Sequence, residues 1–162
     1  MLDDSYDEVE EEEIFDVKNR YFSFYIDREE YAIPISFVEE IICYQELTHV
    51  PETKSFIVGA LNLRGKVIAI MDVRLKLGMP AHPVSEESCI VVVSHREALL
   101  GMLVDRVSEV HDMLPEQIDS TLDNKDKEYV SKVGKVGLRT KFILNLDQLL
   151  FDESPVHSVS LT

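Results

Sequence analysis

Tryptophan is absent, and 162 residues hold only two cysteines, six glycines and six prolines. Two cysteines cannot supply the staples on which small secreted folds depend. Cys43 and Cys89 also fall in no CxxC or zinc spacing, so both are expected to be buried, reduced thiols. No apolar run approaches the roughly 18 residues of a membrane span. The amino terminus is acidic where a secretory signal is basic and then apolar, so a soluble, cytoplasmic chain with no membrane insertion is expected. Basic charge is scarce too: 16 Lys and Arg stand against 31 Asp and Glu, for a net charge of −15. That balance argues against nucleic acid or an anionic membrane as a partner bound through its phosphates. What the chain does have is 45% hydrophobic residues, enough for a core without staples.

The usual catalytic signatures are missing as well. Gly59 to Val67, GALNLRGKV, has five residues between its glycines where a P-loop has four, and Val67 follows the lysine where magnesium needs Ser or Thr. His49, His82, His95, His111 and His157 show no HxH or HExxH spacing and are expected on surfaces or loops, so no metal and no cofactor are expected. There is no GxSxG elbow.

The pattern that is present is a duplication. Gly134 to Leu150 lies without gaps beneath Gly59 to Leu75, placing Arg139 under Arg64, Lys141 under Lys66 and Asp147 under Asp72. Leu99 to Val110 lies beneath Glu30 to Ile41 in the same way, with Gly101 under Ala32 and Glu109 under Glu40. A period near seventy exceeds that of solenoid repeats and suits a small barrel used twice.

Taken in order, residues 1 to 16 carry nine carboxylates before any Lys or Arg and are expected to be a disordered acidic tail. Lys18 to Ile26 alternates and forms a hairpin with Tyr31 to Ile35, whose strand ends or lies at an edge at Pro34. Ser36 and Glu39 form a capping box that predicts a short helix to about Tyr44, matched by a second one capped by Asp105. Glu46 to Val50 and Leu114 to Ile118 can each add a strand. Lys66 to Met71 and Lys141 to Leu146 are predicted as equivalent strands, the first running into a helix capped by Asp72. Cys89 to Val93 and Leu99 to Val104 are unbroken apolar strands, which implies burial on both faces. Met79 to Ser88 is a linker, so the expected subdomains span about 17–80 and 86–152, with a polar loop at Thr121 to Glu128 and a frayed end over 153–162.

Val50 to Gly78, VPETKSFIVGALNLRGKVIAIMDVRLKLG, and Gly101 to Val110, GMLVDRVSEV, resemble the chemotaxis coupling (CheW-like) family, and the resemblance extends from about Arg20 to Phe151. It implies a mainly β fold of two SH3-like five-stranded barrels packed together and intertwined, with short helices. It implies a non-enzymatic adaptor joining the cytoplasmic tip of methyl-accepting chemoreceptors to the regulatory domain of the histidine kinase CheA, at receptor arrays beneath the inner membrane. A coupling module of a CheV-type pathway is the alternative, and a small-molecule-binding barrel a remote one. By the same resemblance Val38, Glu40 and Gly59 face the kinase, while Arg64, Gly101, Val104 and Val107 face the receptor. Glu40 and Arg64 are expected to pair. A ring assembly alternating with kinase domains follows from the two similar halves.

Overall fold

The computed structural model describes residues 17–51, 53–120 and 128–152. The acidic tail, most of the polar loop at 121–128 and the frayed end lie outside them. Among the described residues eleven strands run in order: β1 (Arg20–Ile26), β2 (Glu29–Pro34), β3 (Val38–Cys43), β4 (Ile57–Leu63), β5 (Lys66–Asp72), β6 (Cys89–His95), β7 (Ala98–Val104), β8 (Arg106–Asp112), β9 (Ile118–Asp119), β10 (Val130–Val136) and β11 (Arg139–Leu144). Two short helices, α1 (Val73–Lys76) and α2 (Leu146–Phe151), follow β5 and β11.

The strands form two sheets, β3-β6-β7-β5-β4 and β8-β1-β2-β11-β10-β9. Each has the same plan. A tight hairpin (β6–β7 or β1–β2) meets a second hairpin (β4–β5 or β10–β11) through one parallel pairing, β5 with β7 or β11 with β2, and a further strand lies on its other side. The first hairpin of the chain therefore belongs to the sheet built mostly from the carboxy-terminal half, and β6–β7 belongs to the sheet holding β3 to β5. The boundary near residues 80–86 separates the two copies of the sequence but not the two sheets. Sheet two carries β9 as a sixth strand beyond the expected five.

Registers show which repeat alignment is physical. Val38 faces Val93 across β3–β6, and Val107 faces Phe24 across β8–β1, so Glu30–Ile41 over Leu99–Val110 is the structural equivalence too. The other overlay is two residues out. Leu63 pairs with Lys66 around one turn and Val136 with Arg139 around the other, so Lys66 corresponds to Arg139, and Ile68 to Lys141. The helix caps agree: Asp72 accepts from the Arg74 amide at 2.9 Å, and its counterpart is Asn145, which accepts from Gln148 at 3.1 Å, where Asp147 was expected.

Two predicted helices are strands. After a 3-10 turn at Ile35–Phe37 without a side-chain cap, residues 38–43 pair along β6, and residues 106–112 pair along β1. A bulge between Val38 and Glu40, and its counterpart opposite Phe22 and Phe24, puts an extra residue into each strand. The bulge shifts the apolar positions out of period 2, and Phe37, Val38, Ile41 and Ile42 then imitate a helical stripe. Asp105 caps no helix. Its carboxylate accepts from the Asp27 amide at 2.6 Å and from the buried Arg74 guanidinium at 2.7 Å, tying the two hairpin ends to α1. Glu46–Val50 contributes a single bridge, Thr48 to Ala60, and Leu114–Ile118 becomes a 3-10 turn before the two-residue β9.

The core lies chiefly between the sheets. Phe22, Phe24, Tyr31 and Ile33 of one sheet pack with Val91, Val93, Met102 and Val104 of the other, closed by Leu146 and Leu149 of α2. This explains the unbroken apolar runs: Val91 and Val93 face the shared core, while Ile90 and Val92 face the interior of their own barrel with Leu61, Ile68 and Ile70. Both faces of β6 are buried.

Candidate adaptor surface

The NLRG run is the tip of the β4–β5 hairpin, and each residue has a local task. Arg64 and Gly65 hold φ of 50° and 85°, the two positive values that a type I′ hairpin turn requires, and the Asn62 side chain accepts from the Gly65 amide at 3.1 Å. Leu63 packs on the barrel interior. The turn projects Arg64 into solvent, 73% exposed, where its guanidinium grips the Glu40 carboxylate of β3 with two nitrogens, Nη2 to Oε1 and Nη1 to Oε2 at 3.4 Å. The hydrogen bond and charge of Glu40 push the arginine pKa further up. The expected pair is therefore formed, and it joins the edge strand to the hairpin across the mouth of the barrel.

An open cleft of about 440 Å³ lies beneath this pair. Leu63, Val92 and Leu99 line it together with Glu39, Glu40 and Glu97 and the cations Arg64 and Lys66. Val67, 72% exposed, stands on the outer side of the hairpin, and Ile41, 41% exposed, on edge strand β3. A charged rim with isolated apolar residues around it suits contact with another protein better than enclosure of a small molecule. Lys66, Glu97 and Ile41 carry no sequence signal for this role, because the hairpin turn at Arg96–Glu97 comes close to the rim only through the β5–β7 pairing.

The other residues expected to make contacts are buried or half-buried. Gly59 is buried beneath the Thr48 bridge, and a Cβ there would lie 2.7 Å from Leu47 Cβ and 2.9 Å from Thr48 O. Gly101 is likewise buried, its missing Cβ leaving room for Ile70 Cδ1 at 2.4 Å and Ile90 Cγ2 at 2.9 Å. Val104 is fully buried in the shared core; Val38 and Val107 are half-buried against it. The structure thus brings Glu40 and Arg64 together, while Gly59, Gly101 and Val104 are buried and Val38 and Val107 half-buried.

At the corresponding place in the other sheet lies a polar cluster that sequence reasoning missed. Lys141, with no exposed surface, reaches Glu30 at 2.7 Å and Glu109 at 2.5 Å; Arg139 holds Glu30 with Nη2 at 2.7 Å and Nε at 3.2 Å. Burial pushes the Glu30 carboxyl up, but hydrogen bonds from Lys141, Ser108 and Arg139 overcome this and bring it down to about 2. His111 Nε2 lies 2.9 Å from Lys141 Nζ and 2.6 Å from Ser23 Oγ. An ammonium can only donate, so Nε2 accepts and the proton of the neutral ring sits on Nδ1. Burial, with the neighbouring Lys141, lowers the histidine pKa. His111 and His95, whose Nε2 is 3.0 Å from Asp147, are thus half-buried strand residues where surface or loop positions are expected. Among the described residues no three His, Cys, Asp or Glu side chains converge as a metal would require.

Comparison with known proteins places this architecture. Residues 20–154 match the family model of the CheW-like domain. The chain is 35% identical over 135 residues to the chemotaxis protein CheW of Helicobacter pylori, covering 81% of each. It is 31% identical over 140 residues to CheW of Klebsiella aerogenes, covering 85% of this chain and 84% of the other. The crystal structure of the scaffolding protein TtCheW from Thermoanaerobacter tengcongensis superposes with a TM-score of 0.76 at 28% identity, covering 83% of this chain and 93% of that one. The repeated sheet plan, the NLRG hairpin and these similarities together make the chain a member of the CheW-like family of chemotaxis coupling adaptors.

Proposed function

We propose that this protein joins the cytoplasmic tips of chemoreceptors to the regulatory domain of the histidine kinase CheA, acting in the cytoplasm at receptor arrays and without catalysis of its own. The observation that carries this reading is the Arg64–Glu40 pair, held at the exposed mouth of the first barrel by a turn that needs two positive φ values. An arginine presented in this way offers further donors to a carboxylate of a partner while its own position stays fixed. The kinase contact is built on β3 and β4, with Glu40 as its polar contact and Val38 and Gly59 setting the position of the strands beneath. The receptor contact is built around Arg64 and β7–β8, where Gly101, Val104 and Val107 set the shape of the surface from within. The proposal is supported by the family match and by the absence, among the described residues, of a helix long and apolar enough to cross a membrane.

The two sheets share one plan but differ in charge, so two unlike faces are available for head-to-tail contacts that close into a ring with kinase domains. Each contact can be weak, because several within an array raise effective concentration. The test is reconstitution of the full chain with CheA and a receptor signalling fragment. Charge substitution on the outer face of the β10–β11 sheet should leave binary kinase binding in place and fragment the arrays. Arrays that stay intact would reduce the protein to a one-to-one bridge, and failure to bind either partner would remove the adaptor reading itself.

A further inference from the structure

Cys43 and Cys89, expected to be buried, reduced thiols, stand directly opposite one another on the adjacent antiparallel strands β3 and β6. The Tyr44 amide donates to the Ser88 carbonyl at 3.2 Å, a bond between the residues that flank the pair. The cysteines themselves therefore occupy a non-hydrogen-bonded position, the narrow kind, in which opposed Cα atoms lie about 4.5 Å apart and side chains come closest. That separation is within the roughly 4.4–6.8 Å that a disulfide spans. Directly opposed residues point to the same face, so both sulfurs lie on one side of the sheet, next to the Ile41–Val91 pair. Cys43 is exposed on an edge strand, whereas Cys89 is half-buried against the shared core. Burial, with Cys43 nearby, pushes the Cys89 thiol up. A compact turn holds the entry to β6, with Ser88 N donating to Ser85 O at 3.2 Å and Ser85 N to Ser88 Oγ at 2.9 Å.

We propose that Cys43 and Cys89 form a reversible disulfide within the chain, closed by a peroxide oxidant and opened by a dithiol, which pins edge strand β3 to β6. Cys43, the accessible thiol, attacks a peroxide oxygen as its thiolate; the O–O bond breaks, hydroxide leaves and a sulfenic acid forms. The Cys89 thiolate then attacks the Cys43 sulfur and expels the second oxygen as hydroxide. The two thiol protons neutralise the two hydroxides, so two thiols and one hydrogen peroxide give one disulfide and two waters. A dithiol reverses the step by becoming a disulfide itself. An exposed bond of this kind is on the reducible, regulatory side of disulfide chemistry. Its position gives it leverage on the adaptor surface, because β3 also carries Glu40, the anchor of Arg64, and Cys89 pairs on its other side with Val104.

The experiment treats the reduced full-length protein with hydrogen peroxide, removes the oxidant, alkylates with a maleimide and weighs the intact chain. The expected product is a monomer lighter by two hydrogen atoms that takes up no maleimide and regains two labels after a dithiol. Digestion without reduction should yield one peptide pair linking residues 43 and 89. Cys43→Ser, in which an exposed thiol is replaced without disturbing the core, should lose the lighter species entirely. Circular dichroism confirms that this variant is folded, and the linked peptide of the unsubstituted chain tests the bond without relying on any variant. Full alkylation after oxidation, a product linked only between chains, or conversion of Cys43 to sulfinic acid with Cys89 still free would each overturn the proposal.

Discussion

Lys141 occupies in one sheet the place that Ile68 holds in the other: Lys141 pairs with Gly134 as Ile68 pairs with Leu61, in hairpins of matching register. By the same equivalence Ser23, Glu30 and His111 stand where the first barrel has Val92, Leu99 and Ile42. At these positions one barrel therefore carries apolar side chains and its twin an ion cluster, which sits beside the apolar group Ala32, Met113 and Ile143. Breaking a buried pair from one side is costly, while replacing a whole cluster with apolar groups is often neutral. Lys141→Ile alone should thus lose about 3–5 kcal/mol, because Glu30 and Glu109 lose their buried cation and keep Arg139, half-exposed, between them. Adding Ser23→Val, Glu30→Leu and His111→Ile should recover most of that loss. Urea unfolding with an unchanged m-value is the measurement, and a quadruple variant no more stable than the single one would contradict the equivalence.

The same cluster sets an acid limit on stability. The Glu30 carboxyl is held down at about 2 in the folded chain, below its ordinary value, so its contribution is present above that ordinary value and is lost as pH falls toward 2. His111 acts in the same direction. Its lowered pKa, set among Lys141, Glu109, Glu30 and Asp112, favours the neutral ring in the folded state, so protonation of the unfolded chain starts to weaken the fold below about pH 6.5. Stability measured from pH 8 to pH 3 should therefore fall first near the histidine range and again near the carboxylate range. His111→Ile combined with Lys141→Ile should remove the first step, and a first step that survives in that variant would assign it elsewhere.

Much of this architecture is legible in the sequence because it is local. The β1–β2 hairpin, the unbroken runs of β6 and β7 and the NLRG turn are each set by neighbours within a few residues. The β3 and β8 misreadings have a physical source in their bulges. The two-residue error in the second repeat has another. Matching Arg64 to Arg139 and Lys66 to Lys141 maximises identity, but the chain turns at Gly137–Leu138, where glycine takes the first turn position at φ 64° in place of the second. The Lys141 cluster and the exchange of hairpins between sheets depend on contacts distant in sequence, some of them, such as Arg139 to Glu30 and Lys141 to Ser23, more than a hundred residues apart, for which no local pattern exists.

Gly101 separates packing from contact. Gly101→Ala forces a Cβ against Ile70 Cδ1 and Ile90 Cγ2, and overpacking of this kind costs about 1–3 kcal/mol. Loss of receptor coupling in Gly101→Ala should therefore accompany a lower unfolding midpoint. Ile70→Val deletes the methyl that the new Cβ meets first, so the double variant should regain both stability and coupling, with strong non-additivity. Restored stability without restored coupling would make Gly101 part of the contact surface after all.

Glu40 and Arg64 allow function to be tested apart from stability. Arg64 stands in solvent over a partly covered Glu40, and the screened attraction of the pair adds little to folding, so Glu40→Arg and Arg64→Glu should leave the unfolding midpoint nearly unchanged. Both changes nevertheless remove the link between β3 and the hairpin tip and place like charges across the barrel mouth, so each should depress kinase activation in a reconstituted receptor assembly. The double exchange restores opposite charges in the same geometry. If the pair acts by holding the hairpin in position, activation should return in part, and salt should weaken it as it weakens any exposed ion pair. If both single variants remain folded and the double exchange restores nothing, the Arg64 guanidinium itself meets a carboxylate on the partner. A carboxylate-to-arginine change on that partner should then rescue Arg64→Glu alone.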